Sequence, residues 1–210
     1  MLRALYYQQA STWVEQTRCL DLALVWGTED ILPAFNDLLV VALIPIFQRL
    51  VYPRCGSFCF CGGALARMGW GMAALCGAFV FAALLQRTID SHGLRSSGEA
   101  GSSGREKLSV AWQVPQYLLI SVSEVMVAVT GLHFVYDEVA PSLHATVEAV
   151  WVGLQMGQLL CGLINEVSPS LLMTFELCVG LMALTTAIFA CLAQQYRPKA
   201  SRAAAGALAP

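Results

Sequence analysis

Apolar runs recur along this chain at lengths that suit a bilayer, and the polar residues inside them fall at helical intervals. From Val110 to Tyr136 the run exceeds the roughly 20 residues a helix needs to cross, yet Glu124 stands near its middle. Tyr117, Ser121, Glu124, Ala128 and Gly131 share one stripe at steps of three or four, beside the apolar stripe Leu118, Val122, Val125 and Val129. One side of this helix therefore wants polar company. In the next segment Glu148, Trp151, Gln155, Gln158 and Gly162 share a face in the same way, which points to a wet cavity between helices. The pattern predicts six spans, at about 2–20, 31–52, 67–86, 110–136, 145–164 and 171–192, with a flexible Gly/Ser loop over 91–107 and a disordered cytoplasmic tail over 195–210.

Each span carries its own signal. The first, with Tyr6, Gln9, Trp13 and Gln16 on one side, reads as half-exposed to a pore. Pro45 should kink the second by removing a backbone donor. Gly69, Ala73 and Gly77, four apart in the third, read as a close-packing seam. A cytoplasmic tail would put Arg49, Arg54 and Arg67 on the same side as Arg197, Lys199 and Arg202, as the positive-inside rule favours.

Composition supports a membrane protein. The chain is 57% apolar and only 12% charged, with a mean hydropathy of +0.63. A net charge of -2 gives no basic footprint, which sets nucleic acid aside. Cys76, Cys161, Cys178 and Cys191 lie in apolar runs and read as small hydrophobes. The Cys55, Cys59 and Cys61 cluster lacks the second ligand pair of a zinc site, so acylation of a membrane-adjacent thiol competes with plain cysteine there. His92, His133 and His144 are scattered and no nucleophile constellation is visible, so an enzyme is not expected. Residues 1–10 lack the pattern of a signal peptide, and the chain reads as starting inside a helix, with more expected upstream.

For several residues the pattern leaves two readings open. Glu124 is either a functional acid or one paired structurally with a neighbouring helix; Glu148 could simply complement a helix dipole. Asn36 could be no more than an interhelical hydrogen-bonding group, Gln155 and Gln158 helix-to-helix glue, and Trp13 and Trp151 packing residues.

Three stretches resemble the proton-dependent oligopeptide transporters of the major facilitator fold. They are Tyr7-Gln-Gln-Ala-Ser-Thr-Trp13; Phe35-Asn-Asp through Ile44-Pro-Ile-Phe47 to Tyr52-Pro53; and Trp112-Gln-Val-Pro-Gln-Tyr117 through Ser123-Glu-Val125 and Thr130-Gly-Leu132 to Ala140-Pro141. In order they look like the seventh, eighth and tenth helices of that twelve-helix family, and the short 91–107 loop leans towards the peptide/histidine branch of solute carrier family 15.

The resemblance implies an all-α membrane protein, the six-helix C-terminal bundle of a major facilitator carrier, that moves small peptides or histidine with protons as coupling ion and no other cofactor. It implies that Glu124 receives the peptide's amino terminus, that Asn36 assists it, and that Trp13 and Trp151 line side-chain pockets. The family often has an acid where Tyr7 stands, a glycine at Ala10, an acid at Gln48 and a serine at Ala128; these departures bear on gating and substrate hydrogen bonding. Its first-helix acid-and-arginine motif belongs to an N-terminal half that is not in this sequence. The expected partners are a small peptide or amino acid, the lipid bilayer, and a missing N-terminal half or another membrane protein. The alternative is a truncated, non-transporting membrane protein that associates with or regulates a full-length carrier. Either would sit in a plasma, endosomal or lysosomal membrane.

Overall fold

The structure, a computed structural model, describes residues 2–22, 31–55, 63–92, 108–153 and 157–196, with the side chains of 2–4, 55, 151–153, 157 and 158 outside the description. Helix α1 (Leu2–Tyr7) passes through a 3₁₀ turn (Gln8–Ala10) into α2 (Thr12–Arg18). Helix α3 (Ile31–Ile46) widens into a π turn (Phe47–Val51) and continues as α4 (Tyr52–Cys55). After α5 (Ala64–Ser91), a 3₁₀ turn (Val110–Gln113) leads into α6 (Val114–Glu124), a second π turn (Val125–Val129) and α7 (Thr130–Glu138). Then follow α8 (His144–Gly153), α9 (Gly157–Val167) and α10 (Leu171–Gln195).

Four continuous helical stretches among the described residues are long and apolar enough to cross a membrane: Ile31–Arg54, Ala64–Ser91, Val110–Glu138 and Leu171–Gln195. The chain is thus an integral, multi-pass membrane protein. Of the other two expected spans, the first is interrupted by the 3₁₀ turn at Gln8–Ala10, and the fifth is described as α8 and α9, with 154–156 between them outside the described residues. The third runs past its expected end to Ser91. The 93–107 loop, most of the cysteine-rich connection, Gln155 and the tail beyond Tyr196 lie outside the described residues.

Local chemistry sets the helix ends. Ser109 accepts the Ala111 amide at 3.3 Å, and Pro115 follows in the first turn of α6, where a missing N–H costs nothing. Ser170 caps α10 by accepting the Met173 amide at 3.3 Å. Pro45 frees a carbonyl one turn earlier, and the π turn opens two residues after it, an i→i+5 adjustment of the kind that absorbs such a break.

Helix α5 is the hub, packed against α10 and α6, while α1 lies on α9 and α3 on α6. Its residues Leu75, Ala78, Phe79 and Ala82 join Trp13, Tyr117, Ile120, Phe175 and Met182 in the main core. A smaller apolar cluster, Phe47 with Val125 and Met126, stacks one π turn on the other. Leu38, Val41, Leu163, Leu184 and Leu192 stay exposed, as lipid-facing positions should.

The tightest helix contact is not at the expected small-residue seam. A Cβ at Gly71 would lie 2.6 Å from Val127 Cγ2 and 2.8 Å from Met126 Cβ, whereas one at Gly69 or Gly77 would meet only a side-chain atom at 3.8 Å. Ala73 is exposed. Gly71 therefore lets α5 approach the second π turn.

The polar face of the first segment is buried rather than open to a pore. Gln16, at 0% exposure, donates to the Ala82 carbonyl at 3.0 Å and to Gln86 Oε1 at 3.2 Å. Its own Oε1 accepts from Gln113 Nε2 at 3.3 Å and Gln116 Nε2 at 3.2 Å. Thr17 donates to Gln113 Oε1 at 2.7 Å, so this network ties α2 to α5 and α6. A single bridge between Asp21 and Ser109 fastens the same end: the Asp21 amide donates to Leu108 O at 2.8 Å and the Val110 amide to Asp21 O at 3.1 Å.

Two outcomes are expected in thermal unfolding of the detergent-purified chain. Gly71→Ala should destabilise by about 1–3 kcal/mol, because Val127 and Met126 must shift to admit the methyl, while Gly69→Ala stays near wild type. Gln16→Leu should cost a similar amount, about 1–3 kcal/mol, by stripping bonds from three buried amides, with exposed Gln48→Leu as the neutral control.

Candidate functional site

Glu124 closes α6 immediately before the π turn and lies midway along the Val110–Glu138 stretch. Its side chain is half-buried, and Oε2 accepts a hydrogen bond from Asn36 Nδ2 at 3.0 Å. The two residues are far apart in sequence, and this bond joins α3 to α6. Asn36 is fully buried at 0% exposure and its carbonyl accepts from the Ser121 hydroxyl at 2.6 Å. Ser121, one turn before Glu124, also points its hydroxyl at the Tyr117 carbonyl, 2.8 Å away. The expected stripe of Tyr117, Ser121 and Glu124 is therefore real as far as the acid.

Beyond it the stripe changes. An i→i+5 turn inserts a residue into the 3.6-residue period, so a register extrapolated from a straight helix fails after Glu124. The next polar partnership comes from Thr130, 3.3 Å from the Tyr52 hydroxyl, and the Tyr52 ring in turn sits 4.4 Å from the Arg67 guanidinium. Tyr6 and Ser123 share a buried hydroxyl contact of 2.7 Å on another side of α6.

Trp13 is fully enclosed, its ring edge-on to Tyr117 at 5.0 Å and to Phe79 at 5.7 Å. The Trp13 Nε1 and Tyr117 hydroxyl are buried without a hydrogen-bond partner among the described residues. Trp13 thus stands behind Tyr117, on the same helix as the acid, rather than beside Glu124. Trp151 belongs to α8, but its side chain lies outside the described residues. Glu148 is exposed and accepts from the Tyr136 hydroxyl at 2.5 Å, bridging α7 to α8.

The pattern missed Ser121 as the second partner of Asn36, and the partnership between Gln16, Gln86, Gln113 and Gln116. A serine in an apolar run carries little signal, since it can satisfy itself on its own helix. The one available clue was its position one turn from the acid.

One amide donor from α3, braced by a hydroxyl of α6, can orient a carboxylate in a region of low dielectric. Such a site suits a cation better than an anion. Among the described residues no group of His, Cys, Asp and Glu is arranged to hold a metal ion.

Comparison with known proteins agrees with this architecture. The profile described as "PTR2: POT family" matches residues 1–168. The peptide transporter PTR2 of Saccharomyces cerevisiae is 26% identical over 147 residues, 70% of this chain and 24% of its own length. Solute carrier family 15 member 2 of Rattus norvegicus is 42% identical over 64 residues, 30% of this chain and 9% of that protein. An auto-inhibited POT family peptide transporter superposes with a TM-score of 0.78 at 27% identity, covering 93% of this chain and 38% of the other. The POT family transporter PepTSo gives 0.77 at 25% identity, covering 92% and 39%. This chain therefore spans about a quarter of the first of these curated relatives and under two-fifths of these solved structures. With the family profile running through most of its length and 93% of the chain superposing on a solved POT family transporter, the chain belongs to the POT family.

Proposed function

We propose that the chain supplies one wall of a cavity that carries small peptides across a membrane with protons as the coupling ion, and that Glu124 receives the cationic amino terminus of the substrate. The observation that carries the reading is the mid-span carboxylate joined to Asn36 across α3 and α6. An acid there is costly unless something uses it. At 4 Å a unit charge pair is worth about 4 kcal/mol at an effective dielectric of 20, against about 1 kcal/mol in water, so a half-buried carboxylate can hold an ammonium that solvent would screen. The relatives are peptide transporters, which favours peptides as the cargo.

In this reading Asn36 holds the acid in place, Trp151 lines a side-chain pocket, and Trp13 shapes the wall by backing Tyr117. A second bundle, from the same or another polypeptide, supplies the facing wall, and the two rock about the midplane site. The second reading is a membrane protein that associates with or regulates a full-length carrier without transporting. Crosslinking in native membranes separates them: a partner of carrier size is expected under the second, and monomers alone would eliminate it.

Uptake of a labelled dipeptide into proteoliposomes at an inward proton gradient tests the first. The chain reconstituted with a complementary N-terminal bundle of the family should accumulate dipeptide. Glu124→Gln should lower uptake at least about tenfold, equivalent to ~1.4 kcal/mol. Equal uptake by both proteins would remove Glu124 from the mechanism.

A further inference from the structure

Ser121 is not needed to satisfy its own helix, because its backbone already continues α6, yet its hydroxyl lies at hydrogen-bond distance from two acceptors. One is the Tyr117 carbonyl at 2.8 Å; the other, closer, is Asn36 Oδ1 at 2.6 Å. A hydroxyl has a single proton. We propose that Ser121 is a positioning residue: by donating to the Asn36 carbonyl it anchors the amide in the orientation that presents its NH₂ to Glu124, and so acts on the acid through Asn36. The inference deepens, and for its functional consequence rests on, the reading of Glu124 as the receiver of a cationic group.

The argument is one of hydrogen-bond inventory. A primary amide presents a donor end and an acceptor end of nearly the same shape, so sterics alone do not choose between the two orientations. A charged carboxylate can only accept, which asks for the NH₂ at Glu124. That choice leaves the carbonyl oxygen facing the other way, in a site where Asn36 is 0% exposed and no solvent competes. Only a donor can satisfy it there, and Ser121, also at 0% exposure, is that donor. Both contacts to the amide come from α6, one turn apart, while the amide itself comes from α3. Removing the hydroxyl leaves a buried carbonyl unsatisfied and the amide anchored at its NH₂ end alone, where the carboxylate holds it, so the side chain loosens.

The sequence makes the measurement direct, because it contains only two asparagines, Asn36 and Asn165. With ¹⁵N-asparagine as the sole label, the chain in lipid nanodiscs should give two side-chain amide pairs, assigned by Asn165→Gln. Ser121→Ala should shift the Asn36 pair and speed its hydrogen exchange at least about tenfold. Ser121→Thr, which keeps a hydroxyl, should restore the wild-type values, and the Asn165 pair should stay put in every variant as the test of folding. An unmoved Asn36 pair in Ser121→Ala, or a failure of Ser121→Thr to restore it, overturns the proposal. If the alanine variant does not fold, the threonine variant and Ser121→Cys, whose thiol is a weak donor, decide the matter: cysteine should shift the Asn36 pair and threonine should not. Titration with Ala-Ala of the labelled chain paired with the complementary N-terminal bundle then separates the two readings. A wild-type Asn36 pair indifferent to dipeptide counts against Glu124 as the peptide site, while the response to Ser121→Ala still stands or falls by itself.

Discussion

Hydrocarbon offers no hydrogen bonds, so each polar group drawn into a spanning helix must find its partner inside the protein. Apart from a few buried atoms such as the Tyr117 hydroxyl and Trp13 Nε1, the described residues meet that requirement in three ways. Isolated hydroxyls bond back along their own helix: Thr88 to Leu84 O at 2.9 Å, Thr185 to Leu181 O at 2.7 Å and Thr186 to Met182 O at 2.8 Å. Amides pool between helices, with Gln16 at the centre. The acid takes a third course, borrowing an amide from the neighbouring helix that is itself held by a hydroxyl. These solutions differ in what they leave for a ligand. A threonine bonded to its own backbone and amides spent largely on one another leave little, whereas a carboxylate remains a charge whatever donors surround it.

Sequence pattern reached the parts of the fold where burial and polarity conflict. Glu124 was legible because a long apolar run gives a carboxylate no ordinary place, and Asn36 because the resemblance named it as the partner. The glutamines of the first segment were misleading for the same reason: polar residues in a span read as facing water, although Gln8 and Gln16 are at 0% exposure within the protein. Nothing in a 3.6-residue period announces an i→i+5 turn, so neither π turn was foreseen, though Pro45 did mark a break near the first. The small residues of α5 show the limit most clearly. Gly69, Ala73 and Gly77 share a stripe and look like a packing seam, while Gly71 sits about 200° round the helix from Gly69 at 100° per residue. Which face meets a neighbour is decided by the fold, and it chose Gly71.

The surface carries less information than its contacts imply. Arg87 and Glu176 pair at 2.6 Å between α5 and α10, but both side chains are about half exposed, at 60% and 46%. Such a pair contributes roughly 0–1 kcal/mol when solvated. The Tyr196 hydroxyl reaches Glu138 Oε2 at 2.9 Å and its ring meets Phe134 edge-on, which docks the end of α10 on α7 with apolar area as well as a hydrogen bond.

The attachment of α3 to the rest of the bundle brings these strands together. Only Leu32 of this helix enters the main core; farther along, Val40, Leu43 and Ile44 join the smaller patch around Phe47, Val125 and Met126. Apolar contact is nearly indifferent to rotation and sliding, because it rewards area and not direction. A hydrogen bond weakens steeply when its angle falls, so the Glu124–Asn36–Ser121 joint is sensitive to a shift that the Phe47 patch could absorb. The apolar patch therefore keeps α3 in contact with α6, and the polar joint sets its register. Any relative movement of the two helices must be registered at the carboxylate, which places the one mid-span acid of the Val110–Glu138 stretch where helix position and local charge are coupled.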